Sequence, residues 1–578
     1  MTRLFPEHHI RKVQSLSGAW SFLIDPQDLG IKENWFAGLT DGETVIVPSV
    51  WNNESHLLNY EGVAWYEKRF YTKGGCLRFC FDAVMTEATV WLDGELLGEH
   101  YGGFTAFEFI VPDVDEGEHI LTVRVDNRFD AHSIPQKKVD WYHYGGITRD
   151  VSVETLEGIC VLSYRMDYTL SDNITSLTGV VSVDCYNSNV HNSEEKLTVM
   201  IGDTCVYDEI VEISGSSYQT IVLPEFSLND IRLWDVGKPE LYDVVFKTEC
   251  DDLRDRVGFR KIETANGKIL LNGKSVEIRG VNRHEEHADF GMAFPIARMK
   301  HDIDLIKDLS CNAIRGAHYP NSKAFLDFLD EQGIMFWSEI PIWGVGFSEE
   351  ALADPIVVSR GLEMHKEMVK QYFNHPSIIM WGMHNEIFAY TQAAYDMSKL
   401  YYSYLKKNGG NRLVVYAACH VMTDICLEFS DVLCINLYYG WYNGGLETWQ
   451  PELDAFRERC KTLGIDDRPV IMSEFGAAAL YGFHDTECTK WSEEFQADLL
   501  KFCLTLFHER SEMVGSFVWQ FCDVRACGEM GLTRARGYNN KGILNENRRP
   551  KTAYYTVKEC YSAFASEKLA AQENIEEQ

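Results

Sequence analysis

The sequence predicts a multidomain protein in which two β-sandwich domains precede a (β/α)8 barrel. Three observations carry this. The first half holds short strand-like runs separated by turn signals. After Phe259, apolar β-rich runs alternate with amphipathic helical stretches. The chain of 578 residues has length for about three or four domains at roughly 150 residues each.

In the first domain, Ala88–Leu92 (ATVWL) and His119–Val125 (HILTVRV) read as strands, with turns at Asp93-Gly94 and Glu116-Gly117-Glu118. From about Ile159 to Phe259 the runs VVSVDCYN, KLTVMIG, TIVLPEF and YDVVFKTEC belong to a second β pattern. About seven short strands in roughly 100 residues suit an immunoglobulin-like sandwich. The barrel strands are expected in VEIRGVN (276–282), NAIRGAHYP (312–320), IMFWSEIP (334–341), SIIMWGMHNE (377–386), LVVYAACH (413–420), DVLCINLYYG (431–440), PVIMSEFG (469–476) and GSFVWQFCD (515–523). The resulting domains are 1–157, 158–262 and 263–578. The polar, acidic tail from Ser566 onward is expected to fray.

Hydrophobic residues make up 45% and charged residues 24% of the chain, an ordinary globular balance. A net charge of −33 repels phosphate backbones and anionic lipids, which argues against nucleic-acid and membrane partners. An anionic substrate would then need a locally positive pocket. Met1 to Gln14 carries His8, His9, Arg11 and Lys12 without an apolar run of signal-peptide length, and no stretch reaches membrane-span length. The 16 cysteines are scattered singly and read as reduced thiols. A cytoplasmic location is expected, in which the sequons at Asn53 and Asn173 have no consequence.

Barrel enzymes work at the C-terminal ends of their strands. Those ends here hold His284, Glu285, His318, Glu339, Asn385, Glu386, His420, Tyr438, Glu474 and Trp519. Glu386 and Glu474 each follow an otherwise apolar run, at the fourth and seventh strands. A lone carboxylate there is as readily a salt-bridged mouth residue as a catalyst. Paired carboxylates, with Asn385 placed to donate to a sugar 2-hydroxyl, suit glycosidic cleavage. One carboxylic acid protonates the leaving oxygen; the other, if about 5–5.5 Å away, attacks and configuration is retained.

Arg534, Arg536 and Lys541 lie within TRARGYNNKGI after strand 8. They suit a carboxylate ligand, although composition alone reads the run as a solvated loop. Tyr438, Tyr439, Trp441, Tyr442 and Trp519 are either sugar platforms or plain core. The HEEH run at His284–His287 lacks zincin spacing and reads as polar pocket wall. No metal and no cofactor is expected.

With these residues in hand, the chain resembles glycoside hydrolase family 2 from about Ser15 to Tyr561, and within it the β-glucuronidases of gut-bacterial type. The motifs are SLSGAWSF, VPSVWN and GVAWYEKRF, then GVNRHEEHADFG, IRGAHYP, HNE, CINLYYGWY, IMSEFG and FVWQF. The resemblance implies a jelly-roll-like, sugar-binding first sandwich and a homo-oligomer. It makes Glu386 the acid/base and Glu474 the nucleophile, and puts Asp140, His318, Asn385, Tyr438, Tyr442 and Trp519 in the pocket. Asn539 and Lys541 match the Asn-x-Lys element that grips a substrate carboxylate. The implied activity is exo-acting, retaining β-glucuronide hydrolysis; a β-galacturonidase or dual hexuronidase stays open, and a β-galactosidase fits less well. Three departures stand out. Ile387 replaces the usual proline. The segment from Trp519 to Asn539 is long, so Arg536 or Arg534 flanks the uronate, with Arg536 preferred. From Phe347 to Asn374 there is no lid-loop insertion, which implies an open aglycone side suited to larger glucuronides.

Overall fold

The computed structural model describes residues 2–576. The first body packs two antiparallel sheets. One orders Glu43–Val47, Gly18–Asp25, Val63–Thr72, Gly117–Asp126, Glu87–Leu92 and Glu95–Tyr101; the other orders Lys12–Ser15, Val151–Leu156, Gly75–Phe81 and Phe107–Val114. Alternation explains the packing. Leu121, Val123 and Val125 fall on one face of their strand and meet Phe79, Phe81 and Trp20 in a dry core.

A second sandwich follows. Ile159–Leu170, Ser176–Asn187 and Ser217–Val222 form one sheet, with Phe226–Asn229 paired to the second of them. Thr204–Ile213, Ser193–Ile201, Tyr242–Lys247 and Asp252–Val257 form the other. This is the immunoglobulin-like body.

The third body is a closed barrel of eight parallel strands: Ile278–Asn282, Ala313–Gly316, Met335–Glu339, Ile378–Asn385, Leu413–Ala418, Leu433–Asn436, Val470–Glu474 and Met513–Val518. We number these barrel strands 1 to 8. A small sheet (Ile262–Ala265, Lys268–Leu271, Lys274–Val276) supplies Ile262, Ile269 and Leu271 to the same cluster as the lumen residues Trp337, Met380, Val415, Ile471 and Phe517. It plugs the N-terminal end, leaving the C-terminal end for a ligand. The lumen is tight: a Cβ on Gly280 would stand 2.3 Å from the Phe517 ring.

The same period of two explains why chemistry begins where the apolar layer stops. In strand 2, Ala313 joins the lumen core and Ile314 the outer core, so Arg315 returns to the lumen. The segment from Phe347 to Asn374 is taken up largely by helices Glu349–Ala353 and Pro355–Tyr372. Beyond Ser566 the chain continues the last helix, Thr552–Glu576.

Candidate active site

Arg315 organises the mouth. Fully buried, it donates to Glu339 through Nε (3.0 Å) and Nη2 (2.9 Å), to Asn385 Oδ1 through Nη2 (2.7 Å), and to Glu474 Oε1 through Nη1 (2.7 Å). Its guanidinium lies over the Trp337 ring, 4.6 Å from the centroid. A planar five-donor fork can orient three side chains from three strands at once; lysine could not. Tyr438 donates to the other Glu474 oxygen at 2.8 Å. Glu474 is thus fixed by one donor on each of its two oxygens.

Glu386 is held differently. Strand 4 is buried throughout, and Glu386 then takes a left-handed backbone (φ 53°), a conformation that costs energy in a non-glycine residue. Asn436 Nδ2 donates to its Oε1 at 2.8 Å, and Ser473 Oγ fixes Asn436 at 2.6 Å. Burial raises both carboxylic acids. The charge of Glu474 adds to the effect on Glu386, which is pushed up to about 8. For Glu474 the Arg315 cation and the Tyr438 hydroxyl work against burial. One group is therefore disposed to hold a proton and the other to stay ionised.

The sign of the pH dependence follows. Glu386 acts as an acid only while protonated, and its raised pKa keeps that form present until pH passes through about 8. The alkaline limb of kcat/KM is expected near pH 8, with an acid limb where Glu474 takes up a proton. Glu386→Gln should abolish the alkaline limb, measured with an activated aryl leaving group that needs no acid. A limb persisting near pH 8 in that variant would assign it to another group.

Asn385 completes this end. Its Oδ1 accepts from Arg315 and from Asn436 Nδ2 (3.2 Å), while its Nδ2 is buried without a protein partner. A donor left so costs about 1–3 kcal/mol, which a sugar hydroxyl would offset.

The opposite wall is cationic. Lys541 is only 1% exposed, its Nζ 3.3 Å from Asn539 Oδ1 and facing the rings of Tyr442 (5.1 Å) and Tyr438 (5.9 Å). Among the described residues no carboxylate lies within ion-pair distance of it. Asp140, sent in from the first sandwich, accepts from Arg534 Nη2 (2.5 Å) and Asn539 Nδ2 (2.9 Å). Arg534 Nη1 is 3.4 Å from the Tyr442 hydroxyl. Burial pushes that phenol up, yet the charges of Lys541 and Arg534 carry it below its ordinary value. Trp519 stacks on His318 at 5.0 Å, and His318 Nδ1 lies 2.8 Å from Glu339.

The structure thus brings together Glu386, Glu474, Asp140, His318, Asn385, Tyr438, Tyr442, Trp519, Asn539 and Lys541. It does not bring in Arg536. That side chain pairs with Glu546 at 3.1 Å and is half exposed, and Arg534 takes the pocket position. Arg536 has a left-handed backbone (φ 60°) and bonds Glu546, whereas Arg534 bonds Asp140. The HEEH residues serve as wall and domain clamp. Glu285 accepts from Arg149 (2.7 Å) and Glu286 from Tyr144 (3.0 Å), both in the first sandwich.

Sequence reasoning passed over Arg315 and Asn436. The signal for Arg315 was present: a guanidinium inside the apolar run NAIRG has no place unless it faces paired charges. Asn436 carried no comparable signal, because one asparagine at a strand end is ordinary.

Three family models match in chain order: the sugar binding domain of glycosyl hydrolases family 2 over residues 13–156, the family's middle domain over 161–260, and its TIM barrel domain over 262–566. A curated β-glucuronidase of Streptococcus agalactiae is 27% identical over 94% of this chain and 94% of its own length. The human β-glucuronidase is 27% identical over 98% and 93%. Among solved structures, a β-galacturonidase from Eisenbergiella tayi bound to galacturonate superposes with a TM-score of 0.90 at 34% identity, covering 97% of this chain and 99% of that one. A Ruminococcus gnavus β-glucuronidase gives 0.85 at 26% identity, covering 97% and 99%.

Proposed function

The chain belongs to glycosyl hydrolase family 2, and from that premise we propose that it is an exo-acting, retaining β-hexuronidase whose main substrates are β-D-glucuronides. The observation that carries this is Lys541: a buried cation with no carboxylate partner among the described residues, beside Asn539, in a protein of net charge −33. A buried charge left unpaired is costly, and a uronate carboxylate supplies the missing partner. Relatives named β-glucuronidase support the choice of sugar.

In the reaction, Glu474 attacks the anomeric carbon while Glu386 passes its proton to the departing oxygen. The C1–O bond to the aglycone breaks as the ester to Glu474 forms. Glu386, now ionised, takes a proton from water, which cleaves the ester and releases the uronate. Arg315 and Tyr438 orient the nucleophile throughout, and Asn385 offers its free amide to the 2-hydroxyl.

A second reading is favoured by one specific observation. The E. tayi structure with galacturonate is more similar in sequence, at 34%, than the R. gnavus glucuronidase at 26%. Lys541 reads the carboxylate and not the C4 hydroxyl, so a β-galacturonidase or a dual enzyme accounts for the same wall. Initial rates on chromogenic β-glucuronide, β-galacturonide, β-galactoside and β-glucoside, side by side, decide between them. Glucuronide is expected to be fastest; a galacturonide rate that exceeds it would establish the second reading, and no turnover of either uronide would refute both. All 16 cysteines are free thiols, which supports a cytoplasmic enzyme. We propose a homo-oligomer as well, to be checked by light scattering.

A further inference from the structure

We propose that Phe388, Tyr390 and His420 form the surface that receives the leaving group, and that it takes an aglycone with a flat ring face. This deepens the hexuronidase reading and rests on it. The general acid must face the glycosidic oxygen, so the leaving group lies beside Glu386. Two other sides of the mouth are taken up by side chains. Trp141 of the first sandwich sits against His318 (5.3 Å) and Trp343 (5.8 Å), roofing strands 2 and 3. Tyr438, Tyr442 and Lys541 line the uronate end.

The rings that Trp141 meets do not include those on the loops after strands 4 and 5. Beyond Glu386 the chain alternates: Ile387 (2% exposed) and Ala389 (3%) go into the core, while Phe388 is half-buried and Tyr390 is 46% exposed. His420, two residues past strand 5, meets both rings: 5.1 Å from Tyr390, edge-on, and 6.2 Å from Phe388. Cys419 joins this group to the catalytic pair, with its Sγ 3.9 Å from the Glu386 carbonyl oxygen and its thiol raised by burial and then by the charges of Glu386 and Glu474. The platform is rigid. Ile425 N donates to Ala389 O (2.9 Å), and Thr423 N and Asp424 N both donate to His420 O. Burial lowers the His420 pKa below its ordinary value. Exposed aromatic rings fixed beside an acid offer a stacking face to a planar aryl group or to the CH face of a pyranose.

The test compares kcat/KM for three β-hexuronides whose aglycones are methyl, phenyl and a glucose unit, in wild type, Tyr390→Ala and His420→Ala. Wild-type turnover of the methyl compound tests the hexuronidase reading by itself, since methyl presents no ring. For the subsite, the ratio of ring-bearing to methyl substrate should fall about 3- to 10-fold in Tyr390→Ala, with a smaller fall in His420→Ala. A fall confined to phenyl identifies an aromatic aglycone, and one confined to the disaccharide identifies a sugar; either supports the subsite. Ratios unchanged in both variants would overturn it, whether the absolute rates hold or drop together.

Discussion

Glu474→Gln is expected to lose on the order of 10³-fold or more of turnover while the fold stays intact. The amide keeps the shape of the carboxylate but cannot form the glycosyl ester. It also removes the charge that faces Arg315 at 2.7 Å. That cation keeps its bidentate pair with Glu339, so the buried network retains a counter-charge and the barrel should remain folded. The measurements are steady-state rates on the β-glucuronide and a thermal melt of the same preparation. Turnover within tenfold of wild type would remove Glu474 from the nucleophile role. With the wild-type enzyme, NMR of the first product formed should show β-uronate; an initial α-anomer would rule out retention.

Lys541→Ala has the next largest expected effect, and it is selective. A charge-assisted contact in a partly dry pocket is worth about 1.5–3 kcal/mol. Its loss leaves the substrate anion inside a protein of charge −33. Efficiency on glucuronide should fall roughly 10- to 200-fold. On a β-glucoside, whose hydroxymethyl replaces the carboxylate, the change should cost little. A misfolded variant would lose both activities together, so the ratio is the reading. Asn539→Ala should shift the ratio the same way but less, because its amide also holds Asp140 at 2.9 Å rather than serving the uronate alone. An unchanged ratio in Lys541→Ala would pass the uronate to Arg534, which already lies against Asp140 and Tyr442.

Both predictions rest on neighbours that differ in how visible they were in the sequence. Glu386 and Glu474 were legible because each ends an apolar run, and a period-two pattern makes the terminal polar residue conspicuous. The three-body architecture was legible for the same reason: strand alternation, turn residues and the switch to strand–helix rhythm are local properties. Lys541 needed the Asn-x-Lys resemblance, since a lysine in a basic loop is otherwise a solvated one.

What the sequence by itself determined, then, is the order of the sandwiches and barrel, the eight strand ends and the two carboxylates. Tertiary structure alone decided the rest, because it depends on residues far apart in the chain. Asp140 meets Asn539 and Arg534 only when the first sandwich leans on the barrel. Both arginines satisfy the same composition, and only their partners in the fold separate them, Asp140 for Arg534 and Glu546 for Arg536. The different proton affinities of Glu386 and Glu474 come from burial, which no local pattern records, and from Arg315 on strand 2, which borders neither strand 4 nor strand 7. Periodicity fixes which face a side chain takes; only the closed barrel fixes which charges share that face.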